Sequence, residues 1–136
     1  VTAAKLALLA KPKGKVLLVT DAMSPVGTSQ TEFPFFAGKV TRDGSKLTNE
    51  HGSLAGSVLD MAAAVRFAVE HLALSQGEAV RMASLYPAEY LGIADTKARL
   101  LPGFSADMVL LDSSGNAVST WIGGALVFQQ IEKTHN

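Results

Sequence analysis

The sequence predicts a mixed α/β fold in which a buried strand and several helices precede a small antiparallel β unit. Three observations carry that expectation. Lys15-Val16-Leu17-Leu18-Val19-Thr20 is an apolar run without alternation, which suits a strand covered on both faces, as in parallel α/β sheets. Helical spacing follows two near-capping patterns, Ser57 to Asp60 and Ser75 to Glu78. After Gly92 the chain turns to short strands separated by glycine turns.

Each element has its own reason. Thr2 offers a hydroxyl to the orphan N–H groups of a first helix, which Leu6, Leu8 and Leu9 pack and Lys11, Lys13 and Gly14 close. The apolar strand comes next, and Ser24 to Thr31 is a turn-rich stretch holding Pro25 and Gly27. Phe35 to Thr41 and Lys46 to Thr48 form a hairpin around Arg42-Asp43-Gly44-Ser45, where Asp-Gly is a strong turn signal. Asn49 to Gly56 reads as a loop. A helix capped by Ser57 then carries Leu59, Ala62, Ala63, Phe67 and His71 near helical spacing. Ser75 opens another helix through Val80, Met82, Ala83 and Leu85; Pro87 interrupts it, and Gly92 stops the turn Ala88 to Leu91. In the last part, Ala106 to Asp112 is a strand turned by Ser113-Ser114-Gly115-Asn116. Val118 to Ile122 and Leu126 to Phe128 pair around Gly123-Gly124.

The 136 residues fit one ordinary domain. Lys plus Arg and Asp plus Glu number 12 each, for a net charge of zero. That balance argues against nucleic acid or an anionic membrane as partner, since both require a basic excess. Cysteine is absent, which excludes disulfides, thiolate metal sites and a cysteine nucleophile. No apolar run reaches the ~20 residues of a membrane-spanning helix. A hydrophobic content of 48% against 18% charged residues suggests that some surface meets more protein. The opening Val1-Thr2-Ala3-Ala4-Lys5 carries no initiator Met or targeting pattern. A doubly covered parallel strand also needs parallel neighbours that these residues do not supply. The expectation is a piece of a longer chain.

Asp21 is the leading catalytic candidate because it directly follows the apolar strand. Carboxylates at the C-terminal ends of parallel strands lie where α/β barrels and doubly wound sheets keep their active sites. There a carboxylate acts as a general base or binds a metal. The alternative is an Asx turn that ties up local backbone, and spacing alone leaves both readings open. His51, His71 and His135 form no metal-binding pair, and each reads as structural or surface. The small residues Gly52 to Ser57 offer backbone N–H groups ahead of a helix, or a simple cap. Phe33, Phe35 and Phe36 read as hairpin core rather than lid.

The segment Leu17-Leu18-Val19-Thr20-Asp21-Ala22-Met23-Ser24-Pro25-Val26-Gly27 resembles the last barrel strand of N-acetylglucosamine-6-phosphate deacetylases, in the amidohydrolase superfamily. The likeness continues through Phe36-Ala37-Gly38-Lys39, Leu54-Ala55-Gly56-Ser57, Leu85-Tyr86-Pro87-Ala88, Leu91-Gly92 and Pro102-Gly103-Phe104-Ser105-Ala106-Asp107. It covers nearly the whole chain in order. The resemblance implies the C-terminal fragment of a (β/α)8 TIM-type barrel over 1–92, with 93–136 supplying strands of a small antiparallel β-sandwich domain. It implies hydrolysis of the N-acetyl group of N-acetylglucosamine 6-phosphate, with Asp21 as the catalytic proton carrier and Leu54, Ala55 and Gly56 at the substrate. It also implies a divalent metal ion, zinc or similar, in the full-length enzyme, with its family ligands upstream of Val1 and none in this segment. The other implied partners are the missing N-terminal part and a second copy in a homodimer. The place is the cytoplasm, and the fragment alone is expected to be inactive. Two alternatives share some features: another amidohydrolase such as a dihydroorotase or cyclic amidase, and a non-catalytic structural module.

Overall fold

The computed structural model describes residues 1–11, 16–36 and 38–130. The chain divides into two compact units, Val19–Ala64 and a second one made of Val1–Leu18 with Val65–Asn136.

Val19–Ala64 is built on a four-stranded antiparallel meander, β1 (Glu32–Phe35), β2 (Gly38–Asp43), β3 (Lys46–Asn49) and β4 (Leu54–Ser57), ordered as in the sequence. Asp43 pairs with Lys46 across a two-residue turn, and Gly44 takes the left-handed φ of 60° that such a turn demands. Pro34 lies in β1, an edge strand, where its missing N–H costs no interior ladder bond. Phe33, Val40 and Leu47 are buried and form the core of this sheet, joined by Met23, Ala55 and Val58. Leu47 pairs with Gly56 and Thr48 with Leu54, so Ala55 is the extra residue of a bulge in β4.

The loop drawn over Asn49 to Gly56 ends early, since Leu54–Ser57 is a strand. The strand drawn over Phe35 to Thr41 is broken at Phe36, which has φ 52°. That kink throws its ring outward, 94% exposed, rather than into the core, whereas Phe33 is core as expected. The apolar run Lys15 to Thr20 forms no ladder in its described part, residues 16–20; Lys15 lies outside the described residues. Val19 is 76% exposed there. Parallel pairing needs a neighbouring parallel strand, and here it reduces to a single parallel bridge between Ala22 and Ser57.

The other unit holds α1 (Thr2–Ala10), most of α2 (Met61–Leu72), α3 (Gln76–Ala83) and α4 (Leu85–Tyr90). It also holds the three-stranded antiparallel sheet β5 (Met108–Leu111), β6 (Ala117–Ile122) and β7 (Ala125–Gln129). Val1, not Thr2, is the N-cap of α1, without a side-chain bond. For α2 the capping oxygen is Asp60 Oδ1, 2.7 Å from the Ala63 nitrogen, so the helix begins one turn after the cap drawn at Ser57. Its buried residues are Ala64, Val65 and Ala68 rather than the stripe through Phe67 and His71. Both residues of that stripe are partly exposed, with their rings 4.7 Å apart. Ser75 caps α3 by accepting the Glu78 N–H at 3.3 Å, as expected. The helix then breaks at Ser84, ahead of Pro87, because the proline ring conflicts with the carbonyl four residues earlier.

Gly92 closes α4 at φ 71°. Its N–H donates to the Glu89 carbonyl and that of Ile93 to the Ala88 carbonyl, the paired bonds of a Schellman stop. Val65, Ala68 and Ala79 are the buried centre of this unit, packed by Leu18, Val69, Leu72, Leu74 and Ala83. Leu18 is tied in by its N–H, which donates to the Met82 carbonyl at 3.0 Å. The strands drawn at both sides of Gly123-Gly124 are present as β6 and β7.

Candidate functional site

Asp21 stands on an exposed stretch between the apolar run and the Ser24–Gly27 turns. Its backbone is left-handed, with φ 52°, a conformation that Asp tolerates better than most residues but still at a cost. The strand β4 holds that backbone in place. Ser57 donates its N–H to the Asp21 carbonyl at 2.9 Å, and its own carbonyl accepts the Met23 N–H at 2.9 Å. The Ser57 hydroxyl donates to the Thr20 carbonyl and accepts the Leu59 N–H at 3.1 Å.

The structure therefore brings together the two groups that the sequence nominated separately. Asp21 and the run Leu54, Ala55 and Gly56 are neighbours, joined through Ser57. Leu54 is 70% exposed and Ala55 half-buried, while Gly56 is buried. At Gly56 a Cβ would lie 2.7 Å from Met23 Sδ and 3.2 Å from the Asp21 carbonyl oxygen. Only a residue without a side chain lets the two segments approach this closely. Ala55, on the bulge, lines a cavity of about 450 Å3 with Phe35, Phe36, Lys39, Glu50 and His51. His71 is partly exposed on α2 beside Glu70, and His135 lies outside the described residues.

Two contributors escaped the sequence reading. Ser57 was read as a helix cap, and nothing local signals that its hydroxyl reaches a carbonyl 37 positions earlier. Met23 carried no signal beyond its place in the run after Asp21.

Electrostatic shifts occur at Asp107, Asp112 and Arg81. Asp107 is held below the ordinary carboxylate range, first by its hydrogen bond with Lys97 and then by the Gly123 N–H; the Lys97 Nζ is 2.6 Å away. Asp112 is lowered by the backbone and side-chain N–H groups of Asn116. Arg81 is raised, first by its hydrogen bond to Glu78. All three are turn or helix fasteners.

Among the described residues no group of three or more His, Asp or Glu side chains could hold a metal ion. Asp21 is a single carboxylate, so these residues do not make a metal site by themselves. What Asp21 can do chemically is accept, hold and return a proton at an exposed carboxylate oxygen. Among the described residues no helix is long and apolar enough to cross a membrane.

The sequence pattern of the amidohydrolase family matches residues 2–127. An N-acetylgalactosamine-6-phosphate deacetylase of Shewanella sp. (strain ANA-3) is 49% identical over 120 residues, covering 88% of this chain and 30% of its own length. A putative N-acetylgalactosamine-6-phosphate deacetylase of Escherichia coli K12 is 38% identical over 114 residues, covering 84% of this chain and 68% of the relative. The crystal structure of N-acetylglucosamine-6-phosphate deacetylase from Pasteurella multocida superposes with a TM-score of 0.86 at 25% identity, over 92% of this chain and 33% of that one. The chain thus spans about a third of the length of that structure.

Proposed function

The chain belongs to the amidohydrolase family, and from that membership we propose that it forms part of a longer enzyme that hydrolyses the N-acetyl group of an N-acetylhexosamine 6-phosphate. The products are the amino sugar 6-phosphate and acetate. The observation that carries this reading is Asp21, an exposed residue whose backbone is held beside Leu54–Gly56, in a chain whose relatives are named for that reaction.

In the reaction, Asp21 takes a proton from the water whose oxygen attacks the acetyl carbonyl carbon. As the C–N bond breaks, Asp21 returns that proton to the departing nitrogen, which would otherwise leave as an unstable anion. Exposed Leu54 and half-buried Ala55 bear on the sugar, while Gly56 keeps that strand close to the Asp21 backbone. A divalent metal ion, zinc or similar, supplies carbonyl polarisation and water activation in the full-length enzyme. Its ligands come from outside the described residues.

The same reading assigns residues 1–92 to the last part of a (β/α)8 barrel and 93–136 to a small β-sandwich domain. It has the enzyme act in the cytoplasm as a homodimer. The gluco epimer is the substrate that the residue patterns suggest. The galacto epimer is a second reading, favoured by the higher identity to relatives named for it.

Acetate release from both epimers by the full-length enzyme tests the proposal. Asp21→Asn keeps shape and hydrogen bonding but cannot carry a proton, so kcat should fall by roughly 10²- to 10⁴-fold. KM should hardly change. An Asn variant as active as the parent removes Asp21 from the mechanism. Activity on neither sugar phosphate removes the substrate class.

A further inference from the structure

We infer that Ser57 is the positioning residue for Asp21. This rests on the reading of Asp21 as the proton carrier and adds to it the group that sets its orientation. Asp21 has to keep a left-handed backbone, φ 52°, on a segment without a ladder of its own. An exposed residue in that state relaxes to the β or right-handed region unless something else over-determines it. Among the described residues, Ser57 makes the three hydrogen bonds that tie the backbone from Thr20 to Met23 to a remote part of the chain. Its hydroxyl takes the Thr20 carbonyl, its N–H takes the Asp21 carbonyl, and its carbonyl takes the Met23 N–H. Three successive peptide units are thereby pinned to one residue. The hydroxyl is itself anchored by the Leu59 N–H, on the far side of β4.

The two backbone bonds would survive any substitution at Ser57, whereas the hydroxyl bond is specific to the side chain. It acts on the peptide unit that joins Thr20 to Asp21, and so on the plane from which the Asp21 side chain departs. A rotation of that plane swings the carboxylate away from the water and the leaving nitrogen. A displacement on the scale of 1 Å is enough to cost a proton transfer about a hundredfold.

The test uses the full-length enzyme and the substrate epimer that it turns over. Ser57→Ala should lower kcat roughly ten- to a hundredfold with KM within about twofold, and Ser57→Thr, which keeps the hydroxyl, should restore most of the rate. In an Asp21→Asn background, Ser57→Ala should lower the residual rate no further, because there is no proton carrier left to orient. A purely structural role would give additive losses instead. Should the alanine variant fail to fold, Ser57→Cys replaces it, with a weak thiol donor and a smaller loss of the same kind. An inactive Asp21→Asn beside a fully active Ser57→Ala overturns the positioning role alone. A fully active Asp21→Asn overturns the reading beneath it.

Discussion

A methyl group added at Gly56 would sit 2.7 Å from Met23 Sδ, 2.8 Å from Met23 Cγ and 3.2 Å from the Asp21 carbonyl oxygen. The thioether can swing away, but the backbone oxygen is fixed by Ser57. The φ of 155° at Gly56 adds strain for any L side chain. Gly56→Ala is therefore expected to destabilise the protein by about 1–3 kcal/mol, the usual range for overpacking. Thermal melting checks this, and a variant that melts with the parent would mean that the two segments are not held this closely. The residue scale also shows what one sequence can and cannot reveal. Asp21 was conspicuous as a candidate because it is a carboxylate directly after an apolar run. Ser57 was not, because its hydroxyl also fits the local pattern of a helix cap, and its actual partner is remote in the chain.

At the scale of elements, turns were the most legible features, since their chemistry is local, while the N-caps read at Thr2 and Ser57 fall at Val1 and Asp60 instead. Ser75, Gly92, Asp43-Gly44 and Gly123-Gly124 all act where expected. Helix faces were not, because Met61–Val69 is apolar apart from Arg66 and helical spacing fits more than one stripe. The turn between β6 and β7 carries a prediction of its own. Asp107 Oδ1 accepts the Gly123 N–H at 2.8 Å while Oδ2 binds Lys97, which lowers the folded-state pKa beneath the ordinary 3.8. A depressed carboxylate stabilises the fold above that ordinary value, and the contribution is lost as pH falls through the folded value. Melting temperatures followed from about pH 6 to about pH 3 should drop more steeply for the parent than for Asp107→Asn, with the curves converging in acid. Parallel curves would show that the ionised carboxylate contributes nothing. Partial solvent exposure of the pair keeps the effect modest.

On the scale of the whole molecule, the mixed α/β class and the antiparallel C-terminal sheet were readable, and the ladder expected at Lys15 to Thr20 is not formed in its described part, residues 16–20. Strand pairing is a property of neighbours, and a run of Val and Leu states only that it would accept cover on both faces. The same dependence is visible in β5 and β7, where Val109, Leu110, Leu126, Val127 and Phe128 are exposed.

The discontinuity of one unit has a kinetic consequence. The meander β1 to β4 joins neighbours in sequence, so its closures are short and their entropy cost small. The bond from Leu18 to Met82, by contrast, must wait until the chain on both sides of that meander has been gathered. Refolding should then be ordered in time. In pulse-labelled hydrogen exchange, the paired amides of β2 and β3 should become protected before that of Leu18. Simultaneous protection would mean that the chain condenses in one cooperative step, with the interrupted unit setting the pace for the continuous one.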